Sequence, residues 1–234
     1  MQMFKFKKII VGALGLSCFS AMAQWSINVG PITVAPEESS GNLNVVEQVA
    51  QLPDGSTRVA VNDNTQLGIV LDYAFNDYWS ASVVAATPFS HRARVSGSAI
   101  DGLAIGETKH LPPTVFARYY PLKSSSDFAP FIGVGANYTH FFSEKASDDL
   151  KQALIGFGVA TAQDSVGLNL DGSFGLAYQA GFDWRLNSNW GIHAMISKID
   201  IDTDADVRLN GASIQSVNIQ IDPIVSMFGV KYYF

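Results

Sequence analysis

The chain of 234 residues is 47% hydrophobic and only 15% charged, with a formal charge of −6 and a single cysteine. Such a composition excludes a disordered chain, and the acidic balance leaves no basic face with which to neutralise phosphates, so no nucleic-acid partner is expected. A mean hydropathy of +0.14 is too low for a bundle of membrane helices. The length allows one domain, at most two. What remains is a soluble domain or a membrane protein whose apolar residues are dispersed, and periodicity separates the two.

Residues 1–23 read as a secretory signal. Lys5, Lys7 and Lys8 form a positive start, residues 9–19 an apolar stretch, and Ala21-Met22-Ala23 a small-x-small cleavage site before Gln24. The alternatives, a membrane anchor or a core helix, are disfavoured because the apolar stretch is short for a bilayer. Cys18 lies in this segment, and Gly15-Leu16-Ser17 before it does not form a lipidation site. The processed chain, residues 24–234, is then one domain without thiol or disulfide chemistry. It keeps twelve basic against 21 acidic side chains, a charge of −9.

Beyond residue 23 the pattern is alternation. Residues 25–34 alternate loosely. Residues 66–75 place Leu67, Ile69, Leu71, Tyr73 and Phe75 against Gln66, Gly68, Asp72 and Ala74. Residues 79–89 set Trp79, Ala81, Val83 and Ala85 against Ser80, Ser82 and Val84, and residues 111–120 alternate loosely again. Residues 130–142 carry Ile132, Val134, Ala136 and Tyr138 on one face and Gly133, Gly135, Asn137 and Thr139 on the other. In residues 173–186 every even position from Phe174 to Leu186 is apolar and the odd ones are mostly small or polar, a period no helix satisfies. Residues 190–202 are apolar at Ile192, Ala194 and Ile196, then change phase to Ile199 and Ile201, which suggests a bulge or a strand leaving the membrane. Residues 214–234 end with Phe228, Val230, Tyr232 and Phe234 alternating with Gly229, Lys231 and Tyr233.

These are eight strands, an even number. Short turns at Asn76-Asp77, residues 121–127 and Asn187-Ser188-Asn189 alternate with long segments at about residues 37–64, 90–110 and 143–171 and a tip near Asn210-Gly211. The four tryptophans, Trp25, Trp79, Trp184 and Trp190, all fall at the short-turn ends with Phe75, Tyr119 and Phe234, where an interfacial girdle would lie. A soluble barrel with a bulky interior would leave an exterior of Gly, Ala and Ser with little charge. The expectation is therefore an all-β fold: an eight-stranded antiparallel transmembrane β-barrel with short periplasmic turns and long extracellular loops.

Eight strands enclose little more than their own side chains. The inward positions near the short turns include Asp72, Arg118, Asp183, Arg185 and Lys231. An ion-selectivity ring is one reading; the mixture of signs favours mutual pairing into a periplasmic plug that closes the channel floor. Asp200, Asp202, Asp204 and Asp206 recur at every second residue, and one reading is a set of oxygen ligands for a divalent cation. Ala205 and Gly211 stand where an EF-hand requires Gly and Glu, and a solvated strand face is favoured. His91, His110, His140 and His193 are dispersed without metal-ligand spacing, so no metal site is expected. His140 with a nearby Ser or Asp would be the only basis for hydrolysis, and no spacing supports it, so no enzymatic activity is expected. Leu150, Leu154 and Phe157 lie at helical spacing, as a ligand-capturing lip or a short helix packed on the rim.

Several stretches together resemble the bacterial outer membrane protein W family: Asn64-Thr65-Gln66-Leu67-Gly68, Ala85-Ala86-Thr87-Pro88-Phe89, His110-Leu111-Pro112-Pro113-Thr114, Asn137-Tyr138-Thr139-His140-Phe141-Phe142, Ile199-Asp200-Ile201-Asp202-Thr203, Asp222-Pro223 and the final Tyr233-Phe234. Gly229, Tyr232 and Phe234 also resemble the assembly signal of such barrels, with Met227 departing from it. The resemblance implies a narrow barrel in the outer membrane of a Gram-negative bacterium. It implies an apolar channel that admits small hydrophobic molecules and releases them sideways, passively and without a cofactor. It also implies an apolar constriction at Val84 and Phe174. The strand phase turns Val84 inward with Ser80, Ser82 and Ala86, but turns Phe174 outward. The expected partners are outer-membrane lipid and lipopolysaccharide, small hydrophobic ligands or detergent, and the barrel assembly machinery, for a monomer. The rival is a structural or interaction barrel serving adhesion, stress resistance or a receptor role.

Overall fold

A computed structural model describes residues 24–37 and 39–234; the signal-like segment lies outside the described residues. In chain order the elements are β1 (Trp25–Ala35), β2 (Ser39–Ser40), α1 (Asn44–Val49), β3 (Arg58–Val61), β4 (Asn64–Ala74) and β5 (Trp79–Ala86). Then come β6 (Phe89–Ser96), β7 (Ala104–Leu111), β8 (Thr114–Tyr119), β9 (Phe128–Ala146), α2 (Asp148–Gly156) and β10 (Val166–Leu170). The chain ends with β11 (Ser173–Arg185), β12 (Trp190–Ile199), β13 (Asp202–Leu209), β14 (Ala212–Gln220) and β15 (Ile224–Tyr233). Neither helix is long and apolar enough to cross a membrane.

Eight of the strands form the wall. β1, β4, β5, β8, β9, β11, β12 and β15 pair antiparallel in that order, and β15 returns to β1, Ser26 opposite Tyr233. Closure leaves no sheet edge in the membrane, where an unpaired amide has no water to turn to. The period of two sets the faces: Leu67, Ile69 and Leu71 are exposed to the outside, while Val70 and Asp72 on the alternate row are buried. The short turns are fixed by asparagine side chains. Asn76 Oδ1 accepts from the amides of Tyr78 and Trp79 at 2.8 and 3.0 Å, and Asn187 Oδ1 from those of Asn189 and Trp190 at 3.0 and 2.9 Å. At this end Trp25 packs on Tyr73, Trp79 on Tyr119 and Trp190 on Tyr232, with centroids 4.8, 5.1 and 4.8 Å apart. Glycine lets the inner wall close on itself: a Cβ on Gly133 would stand 2.9 Å from Gln179 Cγ.

The long connections are not irregular loops. β6 and β7 rise above the wall as a hairpin, β7 pairing with the upper part of β9 and β3 pairing with the other edge of β6. Opposite them β10, β13, β14 and β2 form a second sheet. Together they make a collar with its own apolar cluster, including Leu43, Val95, Ile105, Leu150 and Val217. Three segments that read as single strands are therefore broken: residues 79–89 at Thr87-Pro88, 111–120 at Pro112-Pro113, and 214–234 at Asp222-Pro223, where Asp222 has φ +36°. Proline supplies no amide to a ladder, so each break ends wall pairing and lets the chain change direction into the collar. The phase change after Ile196 is a strand leaving the membrane. The inward row runs unbroken through Ser197, Ile199, Ile201 and Thr203, and it is the apolar residues that move from the outer row to the inner one. α2 is the packed alternative for residues 149–157, with Leu150 and Leu154 buried and Ser147 Oγ accepting from the Leu150 amide at 3.0 Å. Ser147→Ala is expected to cost about 1 kcal/mol of local helix stability, read as faster amide exchange in α2 with the barrel's own unfolding unchanged.

Candidate functional site

The lower lumen is closed by a network of ions. Asp72, from β4, accepts from Arg118 NH1 of β8 at 2.7 Å and from Lys231 Nζ of β15 at 2.9 Å. Asp183, from β11, accepts from the same Lys231 at 2.7 Å and lies 2.7 Å from His193 Nδ1 of β12. Asn28 donates to Asp72 at 2.8 Å, the Tyr120 hydroxyl to Asp183 at 3.2 Å, and Arg118 NH2 to Gln179 Oε1 at 3.2 Å. The Arg118 guanidinium also lies over the Phe131 ring, 4.4 Å from its centroid, and Phe131 stacks on His193. Two carboxylates thus face two cations. Buried charges are tolerated only when paired and hydrogen-bonded on this scale.

Of the residues singled out in the sequence, Asp72, Arg118, Asp183 and Lys231 are brought together. Arg185 is not part of the network: its guanidinium covers the Tyr233 ring at 3.7 Å and donates to the Ser188 carbonyl at 3.2 Å, below the floor beside the turn. It sits two residues past Asp183 on the same inward row, and that step carries it out of reach. The network also contains Asn28, Tyr120, Gln179 and His193, which sequence reading left out. Alternation turns Asn28, Gln179 and His193 inward, but only the register among six strands reveals that they share one level.

Above the floor the lumen turns apolar. A small cavity of about 20 Å³ is lined by Ile32, Val84, Phe116, Met195, Ile199 and Val225, with Ala85 and Pro112 at its side. Val84 is inward, whereas Phe174 is not at a constriction. Its side chain is 75% exposed on the outer face, opposite the outward Tyr138, because the alternation of β11 continues to its first residue, Ser173, which is the inward one. The large aromatics that do point inward higher up are Phe89 and Phe141. The collar holds a second, larger cavity of about 70 Å³, lined by Val34, Ile105, Phe141, Leu168, Ile201 and Val217 among others. His91 and His110 also line it, their rings 4.9 Å apart, with Phe89 against one side of the pair and Phe141 stacked on His110. Burial pushes His110 down to about 3, helped by His91, and burial also lowers His91. Both imidazoles are therefore neutral at pH 7 and keep the cavity uncharged.

Of the acidic ladder, Asp200 and Asp202 converge on Asp222, their carboxylate oxygens within 4.8 Å of one another. Asp204 instead bonds Asn218, and Asp206 bonds Ser213 and Arg208. Burial first, then Asp200, Asp222 and Asp204, raise the Asp202 carboxyl. His140 lies exposed on the outer row, stacked on Phe142.

Two outcomes follow. Lys231→Met leaves Asp72 with Arg118 alone and removes the cation shared with Asp183, and is expected to cost about 3–5 kcal/mol in denaturant unfolding. His110 is neutral in the fold and takes up a proton on unfolding near its ordinary 6.5. Its contribution is complete above that value and is lost as the pH falls toward the folded value, by about 2 kcal/mol between pH 7 and 5. His110→Phe is expected to lessen this acid slope in unfolding titrations while preserving the ring stack.

A family model described as the OmpW family matches residues 23–234. Outer membrane protein W of Vibrio cholerae serotype O1 is 38% identical over 209 residues, 89% of this chain and 87% of that one. Outer membrane protein W of Escherichia coli strain K12 is 34% identical over 237 residues, 97% of this chain and all of that one. Among solved structures, that of the outer membrane protein OprG from Pseudomonas aeruginosa superposes with a TM-score of 0.75 at 35% identity, covering 90% of this chain and 95% of that one. With a closed barrel whose bulky row faces outward, these relatives place the protein in the outer membrane as an integral barrel, and the chain belongs to the OmpW family.

Proposed function

We propose that the protein is a passive conduit for small apolar molecules, which enter through the collar and collect in the upper lumen. The observation that carries this reading is the sequence of two apolar cavities, in the collar and around Val84, ending on an ion-paired floor. An apolar solute leaving water for such walls gains about 25 cal/mol for each Å² of surface it buries, and partitioning of this kind requires no cofactor. The floor offers it only charged groups, so onward movement into the periplasm is opposed. The side wall favours exit into the bilayer: Ala85, on the outward row, and Pro112 line the lower cavity together with the inward Val84. The β5–β8 ladder ends at Val84 and Thr114, above which Pro112 and Pro113 bring no amides. The cavities, floor and wall all belong to one chain, so the conduit works as a monomer.

The test is transfer of an apolar fluorescent probe across the outer leaflet in vesicles carrying the protein. Val84→Trp fills the lower cavity and is expected to reduce transfer to that of protein-free vesicles, whereas Val84→Ala retains it. Wild-type transfer by a folded Val84→Trp barrel would overturn the proposal.

A further inference from the structure

The collar gathers basic side chains on one of its sheets. Arg58 of β3, Arg92 and Arg94 of β6, Lys109 of β7 and Lys145 of β9 are all exposed on adjacent strands of one sheet. These are five of the twelve basic side chains in residues 24–234. Across the barrel, β13 and its approach present Asp200, Asp202, Asp204 and Asp206. Glu107 of β7 and Glu144 of β9 lie among the basic residues on their sheet.

On the basic flank the surface is concave. An open groove of about 430 Å³ lies between the start of β4 and β6, lined by Asn62, Asn64, Ser90, Arg92 and Arg94. The Arg92 amide donates to Asn62 Oδ1 at 2.7 Å, and the Ser90 hydroxyl donates to Glu107, which holds the groove wall in place. Glu107 is also the acid within ion-pair distance of Arg92: it lies 3.6 Å from Arg92 Nε, in a pair largely open to solvent. The outer nitrogens of Arg92 and one edge of Arg94 are left to the groove, Arg94 NH1 reaching only the Gly102 carbonyl at 3.4 Å.

The height of the groove fixes what it meets. Leu67 and Val83 below it belong to the exposed apolar belt. The polar boundary is formed by Gln66 and Thr87, whose hydroxyl donates to Gln66 Oε1, and by Thr65, whose hydroxyl bonds that of Thr33. Arg92 lies seven residues beyond Ala85, roughly 20 Å along the chain, and less than that in height because barrel strands are tilted. Its long stem can bring the guanidinium back toward the interface. This is the band of charged headgroups just outside the hydrocarbon.

We propose that the groove binds phosphate groups of a phosphorylated lipid in the outer leaflet. The guanidinium groups of Arg92 and Arg94 take the phosphate oxygens in paired hydrogen bonds, and Asn62, Asn64 and Ser90 line the seat. The lipid's acyl chains then lie along the belt below, beside Leu67 and Val83. The opposite flank repels the same headgroup, so the lipid marks one side of the barrel. This site is on the outer face and is independent of the conduit.

Titration of the full barrel in neutral-detergent micelles tests it, with bisphosphorylated lipid A, the same lipid without phosphates, and free pyrophosphate as probes. The phosphorylated lipid is expected to bind about tenfold more tightly than the phosphate-free one. Arg92→Gln with Arg94→Gln is expected to erase that preference, Arg92→Lys with Arg94→Lys to retain part of it, and Arg208→Gln on the other flank to leave it intact. The exposed sites allow each variant to be checked for an unchanged melting temperature. Equal binding of the two lipids, or an undiminished preference in the double glutamine variant, would overturn the proposal. Pyrophosphate binding as tight as lipid A would overturn it as well, by assigning the groove to a soluble anion.

Discussion

Hydrocarbon offers no partner for a backbone amide, and this shapes the rest of the molecule. Every strand in the membrane must be paired on both sides, which a sheet achieves only by closing. With eight strands, closure fixes a diameter at which the interior is nearly filled by its own side chains. A wide aqueous passage is therefore excluded before any residue is chosen, and the inner row becomes a packing problem. Glycines such as Gly133 on one strand make room for Gln179 on the next, and the space that remains is concentrated around Val84 and in the collar.

Within that narrow tube the chain separates two environments along its axis. The lower part is a closed ionic network in which Lys231 joins two carboxylates, Asp72 also holds Arg118, and His193 completes Asp183. The upper part presents Ile32, Val84, Phe116 and Val225. Burying four charges for stability alone is a poor use of a core, since well-packed apolar side chains commonly do as well. Once formed, the network is costly to disrupt one member at a time, because each loss leaves a partner charge buried and unpaired.

The collar repeats the division on a larger scale. Prolines 88, 112 and 223 end the pairing of the wall and let the chain leave the membrane as new strands. Their inner faces carry the apolar row that the outer face carried below. The two histidines at its base contribute to the same apolar surface because burial keeps them neutral. Outside, where solvent and headgroups replace hydrocarbon, the sheets are free to carry charge, and they carry both signs.

The alternation of residues 66–75, 130–142 and 173–186 already contained the strands, their facing and the orientation of the greasy row. A period of two is a local property, and Phe174 shows its strength: the phase alone put that side chain outside, and the family resemblance that suggested a constriction there was the weaker guide. Arg185 shows the limit, because it shares the inward row with Asp183 and yet stacks on Tyr233 instead of joining the network. Facing is written along one strand, whereas company is decided by register between strands far apart in the chain. Thus the sequence by itself determined a transmembrane barrel with inward charges near its short turns. Only the tertiary structure decided that Asn28, Tyr120, Gln179 and His193 complete the floor, that the long connections form a folded collar, and that five scattered basic residues share one flank. The pairing energy responsible for each of these is spread over many backbone hydrogen bonds, and no short stretch of residues spells it out.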